Sequence, residues 1–214
     1  MLSGLHIEGD GVGGTGIAFV SGQALYIRNC VIRGFTQSGV SLAQPTIAPA
    51  ALVLHVDNTT IENNFSPNIS FVPSGITVSP GPSAVSMVIN QSKIMSNTFG
   101  IVIEGTSATG SVNGVVRDSV VSDNSQNGVT VSDTNGSGAK VTLVVDNVAV
   151  TDNVNNGLVA SGANIGLLVS NSTITGNGGG LHEANSGVID SYGNNRVNAN
   201  SGNDGAFSST IAQK

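Results

Sequence analysis

Charge is scarce in this chain: only 9% of its 214 residues are charged, against about a quarter in ordinary soluble domains. Seven Lys and Arg against thirteen Asp and Glu leave a formal net charge of −6, which argues against a nucleic-acid partner. Tryptophan is absent and tyrosine occurs twice, so most aromatic platforms for stacking on sugars are missing. Cys30 is the single cysteine. No intrachain disulfide can form, and Cys30 reads as a small core residue beside a turn. No apolar run approaches the ~18 residues of a membrane-spanning helix. The opening MLSGLHIEGD has neither a basic nor an apolar targeting segment, so no signal peptide is visible. So little charge could mean disorder, but the hydrophobic residues, 39% of the chain, are strictly periodic, and disordered chains are not.

That period is the main content of the sequence. The chain matches itself about every 27 residues, as stacked solenoid units do. Seven segments align: YIRNCVIRGF, HVDNTTIENN, INQSKIMSN, VVRDSVVSDN, VVDNVAVTDN, LVSNSTITGN and SYGNNRVNAN. A degenerate eighth, LSGLHIEGD, opens the chain. Their turn position runs Gly4, Asn29, Asn58, Gln91, Asp118, Asn147, Asn171, Asn194. Three residues on lies an aliphatic residue: Ile7, Ile32, Ile61, Ile94, Val121, Val150, Ile174, Val197. Three further, six copies carry Asn: Asn64, Asn97, Asn124, Asn153, Asn177, Asn200. A glycine followed by an apolar residue closes each motif, as in Gly39-Val40 and Gly157-Leu158.

Each unit holds three strand-like pieces with period-2 alternation, separated by Asn, Gly and Pro corners. No stretch has a 3.6-residue period. Stacking such coils places each strand ~4.8 Å from its counterpart, giving parallel sheets and, for eight rungs, a rod of roughly 40 Å. An inward Asn at a corner can donate and accept between rungs, so six in register predict an internal ladder. Asp10 and Phe35 hold the Asn position in the first two copies, so the ladder should begin at the third. One domain is expected over residues 1–214: an all-β parallel β-helix of about eight three-strand rungs, its first rung truncated, with an insertion at 65–74. GDGVGGTG, at 9–16, loosely matches a dinucleotide fingerprint, but the following GIAFVSG is a strand pattern rather than a helix.

The N-x-x-[IV]-x-x-N-x(2–4)-G-[IVL] copies and the closing SYGNNRVNAN resemble the bacterial right-handed parallel β-helix repeat proteins, within the pectin-lyase-like superfamily. That resemblance covers essentially the whole chain. It implies a right-handed coil, an extracellular or cell-surface location, and a substrate groove along the sheet that precedes the first Asn.

Outward positions of that sheet can be assigned by parity. One row is Tyr26, His55, Val88, Val115, Val144, Leu168, and its neighbour is Arg28, Asp57, Asn90, Arg117, Asp146, Ser170. Tyr26, Arg28, His55, Asp57, Asn90, Arg117 and Asp146 are therefore the candidate ligand-binding residues, with the two arginines meeting carboxylates of an acidic glycan. The bland alternative is a solvated ladder of paired charges, worth ~0–1 kcal/mol per pair. A lyase, hydrolase or epimerase would draw on His55, Asp57 and Arg117. Yet Asp57 and Asp146 lie three rungs apart, roughly 14 Å, too far to share one cation. No outward pair on this sheet offers the ~6.5–9.5 Å separation of an inverting hydrolase. Asp123 and Asp152 take the same corner on adjacent rungs and are the candidate cation ligands, Ca²⁺ being the fitting ion, although two exposed turn residues tolerating mild repulsion are the plainer reading. Glu183 and Asp190 are expected to point inward in the last rungs.

The leading expectation is a non-catalytic module that binds polysaccharide or serves as a scaffold. A carbohydrate-active enzyme on acidic glycans and a structural protein stacking end to end through open rungs remain the alternatives. No amphipathic capping helix is apparent at the start, so that end belongs to a longer parent or pairs with another molecule.

Overall fold

The structure, a computed structural model, describes residues 1–42, 51–66, 73–105, 109–133 and 138–212. No helix occurs among them, and hence none long and apolar enough to cross a membrane. The chain coils through three parallel sheets of nine, eight and seven strands. The first sheet comprises Leu2–Ser3, Ala24–Arg28, Ala51–Asp57, Ala84–Asn90, Val112–Arg117, Val141–Asp146, Ile165–Ser170, Val188–Ser191 and Ser209–Thr210. The second runs from His6–Glu8 to Arg196–Asn198, and the third from Ile17–Phe19 to Gly179–Ala184. The eight sequence copies thus become about seven full turns and a partial eighth, whose third side is a single bridge, Gly179 to Asn203.

Register follows the sequence columns. The aliphatic row pairs Ile7, Ile32, Ile61, Ile94, Val121, Val150, Ile174 and Val197 in order. From Ile32 to Ile174 that row is fully buried. With three inward rows from the first sheet and two from the third it forms one continuous apolar core. Each fully buried aliphatic side chain contributes ~1.5–3 kcal/mol, and identical side chains above and below keep every rung in the same parity. Gly114 is the one gap in an inward row. Met87 and Leu143 fill it, their methyl carbons 2.9 and 2.8 Å from where a Cβ would stand.

The corners explain the Asn and Gly columns. Residues at the first corner adopt the left-handed conformation, from Asn29 (φ 52°) to Asn171 (φ 51°), a region Asn and Asp enter at least cost. At the second corner the expected ladder is present and points one way. Asn64 Nδ2 donates to Asn97 Oδ1 (2.8 Å), Asn97 to Asn124 (3.2 Å), Asn124 to Asn153 (2.8 Å), Asn153 to Asn177 (2.8 Å) and Asn177 to Asn200 (2.9 Å). Each Oδ1 also accepts the backbone N–H of the rung before, beginning with Phe35 N on Asn64 (3.1 Å). The ladder starts at the third copy and ends on Asp204, whose Oδ1 accepts from Asn200 Nδ2 at 2.8 Å. Glycine faces it because a Cβ at Gly128 would sit 2.9 Å from Asn153 Nδ2 and 2.8 Å from Gly157 O.

Phe35, in the Asn position of the second copy, is buried and lies under the glycine-rich 9–16 corner. A Cβ at Gly13 or Gly16 would meet its ring at 3.0 or 2.8 Å. Those glycines make room for Phe35, and the strand Ile17–Phe19 follows them. Of the expected insertion at 65–74, residues 67–72 lie outside the described residues, as do 43–50 of the loop between the second and third copies.

Candidate binding face on the first sheet

Parity sends every second side chain of the first sheet to solvent, and both expected outward rows are in register. Tyr26, His55, Val88, Val115, Val144 and Leu168 are successive Cα partners, as are Arg28, Asp57, Asn90, Arg117, Asp146 and Ser170. The face is therefore a central stripe, aromatic at one end and aliphatic along four rungs, flanked by a polar row.

The polar row is hydrogen-bonded across four rungs, and its donors converge on Asp57 from both sides. Arg28 Nη2 and Nε reach Asp57 Oδ2 at 3.3 and 3.4 Å. Asn90 Nδ2 donates to Asp57 Oδ1 at 2.6 Å, and Arg117 Nε donates to Asn90 Oδ1 at 3.0 Å. The Asn90 hydrogen bond, then the Arg28 contact, hold the Asp57 carboxyl below the usual aspartate range, against the opposing effect of burial. Asp57 is thus held as an anion with donors on both oxygens, poorly suited to act as a general acid near neutral pH.

Between Arg117 and Asp146 the chain breaks. They are register neighbours, but among the described residues no ion pair joins them. Asp146 Oδ1 instead accepts Asn171 Nδ2 at 2.8 Å and the Ser170 hydroxyl. Among the described residues Arg117 is committed only through Nε, and both terminal amino groups are without a protein partner. A fork of free N–H donors at an exposed site is what bidentate carboxylate or sulfate recognition uses. Tyr26 and His55 stand beside Arg28 and Asp57, their ring centroids 5.9 Å apart and tilted by 54°. Three proposed catalytic side chains are therefore spread out: His55 and Asp57 share one strand, and Arg117 lies two rungs away.

Asp123 and Asp152 do stack at the second corner, both left-handed (φ 56° and 58°), with Asp123 N donating to Thr151 O at 3.2 Å. Asp123 Oδ2 accepts the Ser122 hydroxyl at 2.7 Å, while Asp152 leans over Gly176 of the next rung. Two carboxylates supply only part of the six to eight oxygens Ca²⁺ takes. No group of three His, Cys, Asp or Glu able to hold a metal occurs among the described residues.

The last rung corrects one expectation. Glu183 does take an inward register position, opposite Ala160, but is exposed, and it accepts Ile189 N at 2.7 Å and Ser208 Oγ at 2.6 Å. Asp190 does not point inward: it continues the outward row beyond Leu168, and Ser191 takes the inward place opposite Val169. The reason is one extra residue at that corner, Gly193 (φ 82°), which reverses parity when the strand is counted back from Asn194.

Sequence reasoning also missed a second buried ladder. The residue after the first-corner turn residue carries it, with a break at Val148: Thr59 Oγ1 accepts Cys30 N (3.3 Å), Ser92 Oγ accepts Thr59 N (3.2 Å), and Ser119 Oγ accepts Ser92 N (3.1 Å). Each hydroxyl in turn donates to a carbonyl two residues back, as Ser119 does to Arg117 O (2.6 Å). The signal was the recurring Asn-Thr, Gln-Ser, Asp-Ser and Asn-Ser dipeptides. This ladder anchors the backbone directly beneath the polar row, and so positions Asp57, Asn90 and Arg117. No family model, curated protein or solved structure matches the chain.

Proposed function

We propose that this chain is a non-catalytic β-helical module, secreted or surface-associated, that binds polysaccharide or acts as a scaffold through the outward face of its first sheet. The likeness to pectin-lyase-like β-helices belongs to the same proposal. The observation that carries it is Arg117, whose terminal amino groups, among the described residues, have no protein partner at the break in the polar row. Beside it the half-buried stripe of Val88, Val115, Val144 and Leu168 offers an apolar bed for sugar C–H faces. A glycan laid across the strands meets a fresh side chain every ~4.8 Å. Its carboxylates would reach Arg117 while its rings cross the stripe. Asp57 supports binding over turnover, because its oxygens already serve Arg28 and Asn90.

The test is a panel of acidic and neutral polysaccharides, with and without Ca²⁺, scored for binding and for unsaturated or reducing-end products. Binding of acidic polymers that falls at least tenfold in Arg117→Ala, without products, is the expected result. Products that disappear in Asp57→Ala would replace the proposal with a carbohydrate-active enzyme. Absence of binding, together with concentration-dependent rods in solution, would replace it with end-to-end structural stacking.

A further inference from the structure

Away from the first sheet, the corner between the second and third sheets carries columns of amide side chains, and one of them is interrupted. Asn155 Nδ2 donates to Gln126 of the rung before. Asn156 N donates to Asn127 Oδ1 at 3.0 Å, and Asn156 Nδ2 reaches the same oxygen at 3.4 Å. In the next rung the column position of Asn156 is Gly179, and beyond it the bridge leads to Asn203. At this step lies a notch of about 390 Å³ lined in part by Gly178 and Gly179, with Asn156 Oδ1 lying close to where a Cβ on Gly179 would stand.

Its walls are chemically specific. Asn155 and Asn156 each direct an amide N–H to the preceding rung, and among the described residues no donor reaches their side-chain carbonyl oxygens, which are left as acceptors. Asn203 Oδ1 takes Gly205 N at 2.9 Å, which leaves its amide nitrogen as a donor. His182 is exposed on the outward row beside Val159, and among the described residues neither ring nitrogen has a hydrogen-bond partner. Val154, 65% exposed, supplies an apolar wall. Among the lining residues none is Asp, Glu, Lys or Arg.

We infer that this notch binds a single neutral sugar residue. A pyranose hydroxyl both donates and accepts, matching carbonyl acceptors on one rim and an amide donor on the other. A C–H face of the ring would lie on Val154, and the glycine lining permits approach to backbone that any side chain would block. The volume sits at the small end of ligand pockets, near ~300–1,000 Å³, which suits one ring rather than an oligomer. With no Lys or Arg in the lining, a uronic acid finds no permanent cation there, in contrast to the Arg117 site. This inference does not depend on the first sheet binding anything.

The test titrates the ¹⁵N-labelled full chain with glucose, N-acetylglucosamine and galacturonate, following backbone amide shifts. Expected are saturable shifts at Gly179, Gly180, His182 and Asn203 with the neutral sugars, at millimolar affinity, and at least tenfold weaker ones with galacturonate. Gly179→Ser should abolish them by placing a side chain in the notch, and the fold should accept it, because the new Cβ closely meets only the movable end of the Asn156 side chain, with Asn203 O at 3.5 Å. His182→Ala, which alters an exposed side chain, should weaken binding at least fivefold with unchanged thermal unfolding. Arg117→Ala should leave it intact. Absence of saturable shifts with both neutral sugars, shifts confined to the first sheet, galacturonate binding as tightly, or wild-type affinity in His182→Ala would each overturn the inference.

Discussion

Two columns of polar side chains climb the rod, one buried at the second corner and one exposed on the first sheet, and they are built by opposite rules. The Asn64-to-Asn200 ladder repeats one residue, in one direction, with every amide used. The Arg28-to-Ser170 row mixes cations, anions, amide and hydroxyl, and it breaks between Arg117 and Asp146. Water accounts for the difference. Inside, an unpaired amide has no substitute partner, so only a residue that donates and accepts at fixed geometry survives at each rung. Outside, solvent completes any unmet valence, so composition is free to serve a ligand. A conserved-looking column is thus a stability device here, and the irregular column is where function can reside.

The largest effect should come from breaking the buried column. Asn124→Ala removes the acceptor for both Asn97 N (3.0 Å) and Asn97 Nδ2 (3.2 Å) and the donor to Asn153. At ~1–3 kcal/mol per buried group left unpaired, the loss should reach about 3–5 kcal/mol in urea unfolding. A loss under 1 kcal/mol would mean that the ladder is decorative. Gly128→Ala should follow at about 2–3 kcal/mol, since overpacking forces the Gly157 carbonyl and the Asn153 amide apart. Ser119→Ala, in the hydroxyl ladder, leaves Ser92 N unpaired and should cost about 1–2 kcal/mol.

The exposed row should respond least. Asp57→Asn should change stability by no more than ~1 kcal/mol, as surface pairs do. Its signature lies in pH dependence. Because the folded chain holds Asp57 below its ordinary value, its contribution is fully present above about pH 3.9 and is lost as pH falls through the lower folded value. The slope of stability against pH in that acid window should therefore flatten in Asp57→Asn. An unchanged slope would show that Arg28 and Asn90 do not distinguish the charged from the neutral carboxyl.

Much of this molecule was legible in the sequence because a solenoid makes each rung repeat the constraints of the last. The aliphatic row, the Asn ladder with its start after Phe35, the glycines that face it and both outward rows of the first sheet follow from a period of about 27 residues and strand parity. Asp190 escaped because one extra residue, Gly193, reverses the parity of its strand, and a motif search anchors on Asn194 instead. The hydroxyl ladder escaped because Cys30, Thr59, Ser92 and Ser119 share a role without sharing an identity.

What the sequence determined by itself is the set of columns: which residues stack, which face the core and which face water, since period and parity decide these without distances. Only the tertiary structure decided how each exposed side chain spends its hydrogen bonds. Arg117 lies one rung from Asn90 and one rung from Asp146, equal choices on paper. Asn171 and Ser170 both donate to Asp146 Oδ1, while the guanidinium turns back to Asn90 and, among the described residues, its terminal amino groups meet no protein acceptor. The glycine notch likewise lies where Gly179 stands between Asn156 of one rung and Asn203 of the next. Partner choice among equidistant neighbours depends on competition in three dimensions, and a linear repeat carries no record of it.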